Sequence, residues 1–290
     1  MKIAVVGDIH IGNQVSTRTD NYFETCLNKL RQIFENNEVV FFLGDIFNTP
    51  VIDTGKLFEV CSLFMEYSHV KKYTILGNHD VYNMNENTLF KTSLGMMVLM
   101  GLITLIQDSN VTVGSLTFGA MTLNFKDKKP NSADIILGHH FYNLNCSDSY
   151  SDEDLNELYQ NAKLIFLGHD HQHYEPSGRV YRPGSLLRNA STEYNRTRKP
   201  IYYQLDTETL SLEKIEVKAL DGNQVFIDNI AIKKRERFIE NLERTIALCS
   251  EKVTTESKYS MVEILKEIKT PRRSMEYIAQ TCKVLGVQLK

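Results

Sequence analysis

At 290 residues, 42% hydrophobic and 24% charged, with a formal charge of −3, the chain has the makeup of an ordinary soluble globular protein. That balance excludes a strongly basic nucleic-acid binder, so a phosphate polymer would have to be attracted by metal ions and local patches. Five widely spaced cysteines (Cys26, Cys61, Cys146, Cys249, Cys282) contain no CxxC, which excludes a disulfide framework and a zinc ribbon.

The chain is expected to enter a strand at once, over residues 2–6, and on that reading no secretory leader is expected. No apolar run is long enough for a membrane span: the longest, residues 95–106, is short and broken by Gly101 and Thr104. A cytoplasmic protein with no membrane association is expected. The first strand closes at Gly7 and delivers Asp8-Ile9-His10. Tyr22, Phe23, Cys26, Leu27, Leu30, Ile33 and Phe34 recur at helical spacing and predict an amphipathic helix over 20–35. A second buried strand, 39–43, closes at Gly44 and delivers Asp45. A helix over 54–67 leads to a third strand, 72–76, which ends in Gly77-Asn78-His79-Asp80. This alternation predicts a parallel sheet with helices packed on it.

Residues 86–100 read as one helix, whose run Met96-Met97-Val98-Leu99-Met100 is expected in the core, with a methionine-rich subunit contact as the alternative. From 101 to 123 the period shortens, and 102–106, 111–113 and 116–121 are expected as short antiparallel strands. A strand over 133–137 delivers Gly138-His139-His140. A polar loop and short helix over 145–157 precede a strand at 164–167, which delivers Gly168-His169-Asp170-His171. Strands at 179–182, 200–205 and 211–217 follow. From about 232 the pattern becomes charged amphipathic helix (236–250 and 258–268), broken by Pro271, with a last helix over 274–285.

Each polar strand ending has an ordinary explanation when taken alone. An Asp after a strand-closing Gly can cap a helix, and a single His in a turn is usually just a hydrogen-bonded polar residue. Five such endings are different, because they would gather their groups on one edge of one sheet, at the carboxyl ends where α/β sheets bind ligands. Excluding His79 and Asp80, the cluster holds two Asp, one Asn and at least four His. That is too many ligands for one tetrahedral zinc and suits two ions sharing a carboxylate, with manganese, iron or zinc fitting the mixed nitrogen and oxygen donors. Two such ions clamp the attacking and leaving oxygens of a phosphoryl displacement, so the reaction class is metal-assisted phosphoester hydrolysis.

Asp8-x-His10, Gly44-Asp45, Gly77-Asn78-His79-Asp80, Gly138-His139 and Gly168-His169-x-His171 resemble, in order, the five motifs of the calcineurin-like metallophosphoesterases. The resemblance implies an α/β fold, a four-layer α/β/β/α sandwich with a short C-terminal helical extension. It implies one metal held by Asp8, His10 and His171, the other by Asn78, His139 and His169, with Asp45 bridging. His79 would protonate the leaving oxygen or stabilise the transition state, oriented by Asp80; of the neighbours His139 and His140, His139 is favoured as the ligand because it directly follows the strand and Gly138. Finer features, Asp8-Ile9-His10-Ile11-Gly12, Arg18-x-Asp20, Gly44-Asp45-Ile46-Phe47, and Tyr181-x-Pro183-Gly184-Ser185 with Glu193, are similar to the SbcD-type DNA-repair nucleases. They imply Mn²⁺-dependent nuclease activity on DNA, a homodimer, and an SbcC-type ABC ATPase partner with a long coiled coil.

Against that family the chain is short, which leaves a nuclease domain over 1–220 and a reduced cap or partner-binding helical region over 221–290. Arg196, Arg198, Lys199 and Lys128 (in Lys126-x-Lys128-Lys129) are candidate DNA-backbone contacts, whereas Lys233-Lys234-Arg235-x-Arg237 reads as a solvated face. Hydrolysis of a small nucleotide by the same centre, and a non-catalytic scaffold that would have lost ligands, are the competing readings.

Overall fold

In a computed structural model of the chain, residues 1–107, 110–124, 132–144 and 149–227 are described. Strand β1 (Lys2–Val6) is followed by α1 (Tyr22–Glu35), β2 (Val39–Phe42), α2 (Thr54–Glu66) and β3 (Lys71–Thr74), close to the expected bounds. Asn21 caps α1 by accepting from the Glu24 amide, and Asp53 caps α2 in the same way. The helix expected over 86–100 is divided. A 3₁₀ segment (Glu86–Lys91) stops at Thr92, whose hydroxyl accepts from the Gly95 amide and starts α3 (Ser93–Leu99). An internal N-cap therefore outweighs the continuous apolar pattern. Within the methionine run only Met97 is in the core, whereas Met96, Leu99 and Met100 are exposed.

Strand β4 (Thr104–Leu105) pairs parallel with β3, correcting the antiparallel expectation there. Strands β5 (Val111–Val113) and β6 (Leu116–Ala120) form the expected antiparallel pair. Next come β7 (Ile135–His139), β8 (Phe141–Tyr142), β9 (Ser149–Tyr150), α4 (Asp152–Leu158), β10 (Leu164–Gly168), β11 (Tyr174–Ser177) and β12 (Val180–Arg182). The elements α5 (Glu193–Thr197), β13 (Ile201–Asp206), β14 (Leu212–Glu216) and α6 (Gly222–Val225) complete a compact unit over Met1–Ile227. The helices expected beyond residue 232, and the basic run at 233–237, lie outside the described residues.

Two mixed six-stranded sheets result, in the orders β14-β13-β1-β2-β3-β4 and β11-β12-β10-β7-β6-β5. The single sheet expected to carry all five motif endings is thereby corrected: β1, β2 and β3 belong to one sheet, β7 and β10 to the other. The cause is visible in the strand sequences. Apart from β3, they are largely apolar on both faces, as strands buried on both sides must be. In β1, Ile3 and Val5 point into the core between the sheets, while Ala4 and Val6 point into the core under α1 and α2. Phe41 of β2 and Phe118 of β6 stack across the inter-sheet layer with ring centroids 4.1 Å apart. On the far side, Ile136, Ile165 and Leu167 pack against Leu155 of α4 and Tyr159. The layering is the expected α/β/β/α sandwich. No helix among the described residues is long and apolar enough to cross a membrane.

Candidate metal centre

The loops leaving β1, β2, β3, β7 and β10 meet at one end of the sandwich. Three of the residues they deliver, His10 (φ +56°), Asp45 (φ +48°) and His169 (φ +80°), have left-handed backbones, a conformation that costs a non-glycine residue about 1–3 kcal/mol. The loops are tied to one another by buried hydrogen bonds. The amides of Ile9 and His10 donate to the Asp45 carbonyl at 3.1 and 2.9 Å, and the His169 amide donates to the Asp8 carboxylate at 3.0 Å. Gly77 is required where β2 and β3 deliver their loops, because a Cβ there would lie 2.1 Å from Asp45 Oδ1 and 2.3 Å from its amide nitrogen.

The donor atoms form two groups. In one, His171 Nε2 lies 2.8 Å from His10 Nε2 and 3.5 Å from Asp8 Oδ2. In the other, His139 Nε2 lies 3.0 Å from Asn78 Oδ1 and 3.2 Å from His169 Nδ1. Asp45 stands between them: its Oδ2 is 3.6 Å from His10 Nε2 and 3.4 Å from His139 Nε2, while its Oδ1 accepts from the His79 amide at 2.8 Å. All seven expected ligand residues, Asp8, His10, Asp45, Asn78, His139, His169 and His171, are thus brought together. His139 Nδ1 donates to the Leu43 carbonyl at 2.7 Å, which turns Nε2 inward, as ligand imidazoles are commonly oriented. His140 points elsewhere, its Nε2 at 2.7 Å from the Thr122 carbonyl.

Burial is the largest influence on the charged members. It pushes Asp8 above the usual carboxylate range and pulls His10 down to about 3, leaving a neutral imidazole with a lone pair to offer. Burial also opposes charge on Asp45, but the adjacent His139 imidazole holds it below the carboxylate range. His139 is raised to about 10: burial works against its charge and the Asp45 and Asp8 carboxylates outweigh it. Two buried carboxylates, one amide oxygen and four imidazoles with no thiolate make a hard-to-borderline donor set, which fits divalent cations. Three sets of these residues, Asp8/His10/His171, His10/Asp45/His79 and Asp8/Asp45/His139, have donor atoms within 4.8 Å of one another.

The expected pairing of His79 with Asp80 is replaced by another arrangement. His79 Nδ1 donates to the Asn48 carbonyl at 2.8 Å, a backbone partner that side-chain reasoning had no means of finding. The Asp80 carboxylate instead accepts from the amides of Asp45, Ile46 and Gly77 at 2.8, 3.1 and 3.0 Å. The carboxylate at this position ties together the backbones of the loops that follow β2 and β3 instead of meeting the ring of its neighbour. Phe141, also unforeseen, packs its ring 4.1 Å from that of His169; an aromatic directly after a His-His pair is its only trace in the sequence.

The candidate DNA contacts fare differently. Arg198 turns inward, donating to the Ser185 and Leu187 carbonyls and to Asn195 Oδ1, so its guanidinium serves the fold, against the expectation of a phosphate contact. Arg196 donates to the Ile227 carbonyl and lies 5.5 Å from the Phe226 ring centroid. Lys199 is exposed and ion-paired with Glu216 at 2.8 Å, and Lys128 lies outside the described residues.

The calcineurin-like phosphoesterase family model matches residues 1–173. No curated protein matches the chain. Among solved structures, the hypothetical protein PH1004 from Pyrococcus horikoshii OT3 is similar over 82% of this chain and 93% of that one, at 14% identity and a TM-score of 0.41. The span matched by the family model contains every donor described above, from Asp8 to His171. On that match, over more than half its length, the chain belongs to the calcineurin-like phosphoesterase family.

Proposed function

We propose that this phosphoesterase, a metal-dependent hydrolase of phosphoesters by its family, is a DNA nuclease subunit acting in end processing, recombination or repair in the cytoplasm. One observation carries the reading: Asp45 Oδ2 lies between two groups of donors, 3.6 Å from one and 3.4 Å from the other, as a carboxylate shared by two ions must. His79, Asn78, His169 and His171 remain partly exposed, so the centre opens to solvent instead of closing over a small substrate. The SbcD-like flanking segments point to DNA as the polymer.

Asp8, His10 and His171 would hold one divalent ion and Asn78, His139 and His169 the other. When bound, two divalent ions, Mn²⁺ on this reading, would supply an activated water and neutralise charge on the phosphoryl oxygens. The protein's part is positional and acid–base. With Nδ1 donated to Asn48, His79 has Nε2 left to hold a proton for the departing oxygen. Asp80 keeps the Asp45 and Gly77 backbones in place from below. We further propose a division into a catalytic domain over 1–220 and a helical region over 221–290 that engages an SbcC-type ABC ATPase. A homodimer completes the assembly.

The test is hydrolysis by the full chain with added Mn²⁺ on linear duplex DNA, single-stranded DNA and a generic phosphodiester dye. DNA cleavage should require Mn²⁺ and fall about 10²–10⁴-fold in His79→Ala, with Mn²⁺ binding retained. Turnover of the dye without any DNA cleavage would replace the nuclease reading with the small-substrate one.

A further inference from the structure

The segment that follows β12, Ser185 to Arg188, runs beneath the metal centre and is held from both sides. Its amides face the centre. Ser185 N–H donates to the His171 carbonyl at 3.1 Å, and Leu186 N–H donates to the Asp8 carbonyl at 2.8 Å. Its carbonyls face a row of cations. Ser185 and Leu187 accept from Arg198 at 2.7 and 2.8 Å, Leu186 accepts from Lys29 Nζ at 2.9 Å, and Arg188 accepts from Arg18 at 2.5 Å. Four consecutive carbonyls are therefore each held by a cationic side chain, contributed by the loop before α1, by α1 itself and by the turn after α5.

These cations are expensive to keep. Lys29 is only 1% exposed, and neither Lys29 nor Arg198 meets a carboxylate among the described residues. Apolar residues of similar size would leave these carbonyls without donors. What the cations provide is charge-assisted, directional hydrogen bonding that fixes a backbone segment in one register.

We propose that Lys29 and Arg198 are positioning residues of the metal centre: by holding the carbonyls of Ser185, Leu186 and Leu187 they set the amides that place Asp8 and His171. The inference rests on the reading of Asp8 and His171 as metal ligands. It assigns to two side chains that touch no donor atom the registration of that half of the donor set.

The experiment is a calorimetric titration of the full chain with Mn²⁺ alone, comparing wild type, Arg198→Met, Arg198→Lys and a control, Phe118→Leu, in the inter-sheet core. Arg198→Met should weaken Mn²⁺ binding about ten-fold or more, the scale of losses when the groups supporting metal ligands are removed. Arg198→Lys should recover part of that loss, since an ammonium can still hold one carbonyl. Phe118→Leu, compared after its own thermal melt, should keep wild-type affinity while losing stability. Unchanged affinity in folded Arg198→Met overturns the proposal, as does an equal loss in the control. If Arg198→Met does not fold, Arg198→Lys decides, with wild-type affinity overturning it. A wild-type chain that binds no Mn²⁺ overturns both this and the metal-centre reading, whereas DNA inertness with Mn²⁺ binding intact counts against the nuclease reading alone.

Discussion

Side chains at the centre are placed by backbone at least as much as by one another. Asp45 presents Oδ2 to both donor groups because Oδ1 is held by the His79 amide, and its own amide is held by Asp80. Gly77 makes this possible by leaving room for Asp45. Gly77→Ala would put a methyl group 2.1 Å from Asp45 Oδ1, against a carboxylate and backbone that have nowhere to move. Mn²⁺ affinity and hydrolysis should both fall by at least about ten-fold in this variant, read by calorimetry and turnover, and full retention of both would show that the loops can separate without loss. His79 shows the limit of reading such residues from the chain. Its identity, position and proximity to the site follow from Gly77-Asn78-His79-Asp80, but its partner is a main-chain carbonyl, and a carbonyl leaves no mark on the sequence.

Among the elements, the strands that deliver the site and the first two helices were legible because hydrophobic period and capping residues agree there, whereas the short strands β8, β9 and β11 were not. Lys72 does not fit that pattern, a lysine inside a buried strand. The structure gives it a purpose: Nζ donates to the carbonyls of Phe64 and Val70 at 3.1 and 2.9 Å and to that of Tyr67, closing the end of α2. Burial lowers its pKa from the usual 10.5 to about 8. Between those two values the unfolded chain binds more protons than the folded one, so this lysine makes stability rise with pH across that window. Lys72→Met should flatten the rise, as read from urea melts between about pH 8 and 10.5. A slope identical to wild type would mean that the lysine stays charged in the fold. The helix over 86–100 failed as a single element because Thr92 competes locally as an N-cap, and a hydrophobic pattern alone does not record such competition.

At the scale of the whole molecule, the exposed side chains raise a question that the centre does not. Phe58 and Met65 of α2, Phe90, Met96 and Leu99 of α3, and Met100 just after it are all large, apolar and about half or more exposed. The proposed homodimer would cover such groups. Light scattering on the eluting protein should give the mass of two chains, and Phe58→Ser with Leu99→Ser should return it to one. A wild-type monomer would remove the dimer from the proposal.

The sequence by itself determined the donor inventory, its order and the fold class. Strand-closing glycines followed by Asp, Asn and His are local facts, and apolar runs alternating with helical spacing of apolar residues give an α/β class. Tertiary structure alone decided that the donors come from two sheets instead of one edge. Strands apolar on both faces demand two covering layers, and nothing in the chain says whether a layer is helix or sheet. It also decided that Asp80 and Arg198 face inward. A carboxylate or guanidinium is written identically whether it meets water, substrate or a backbone carbonyl, and only packing chooses among them.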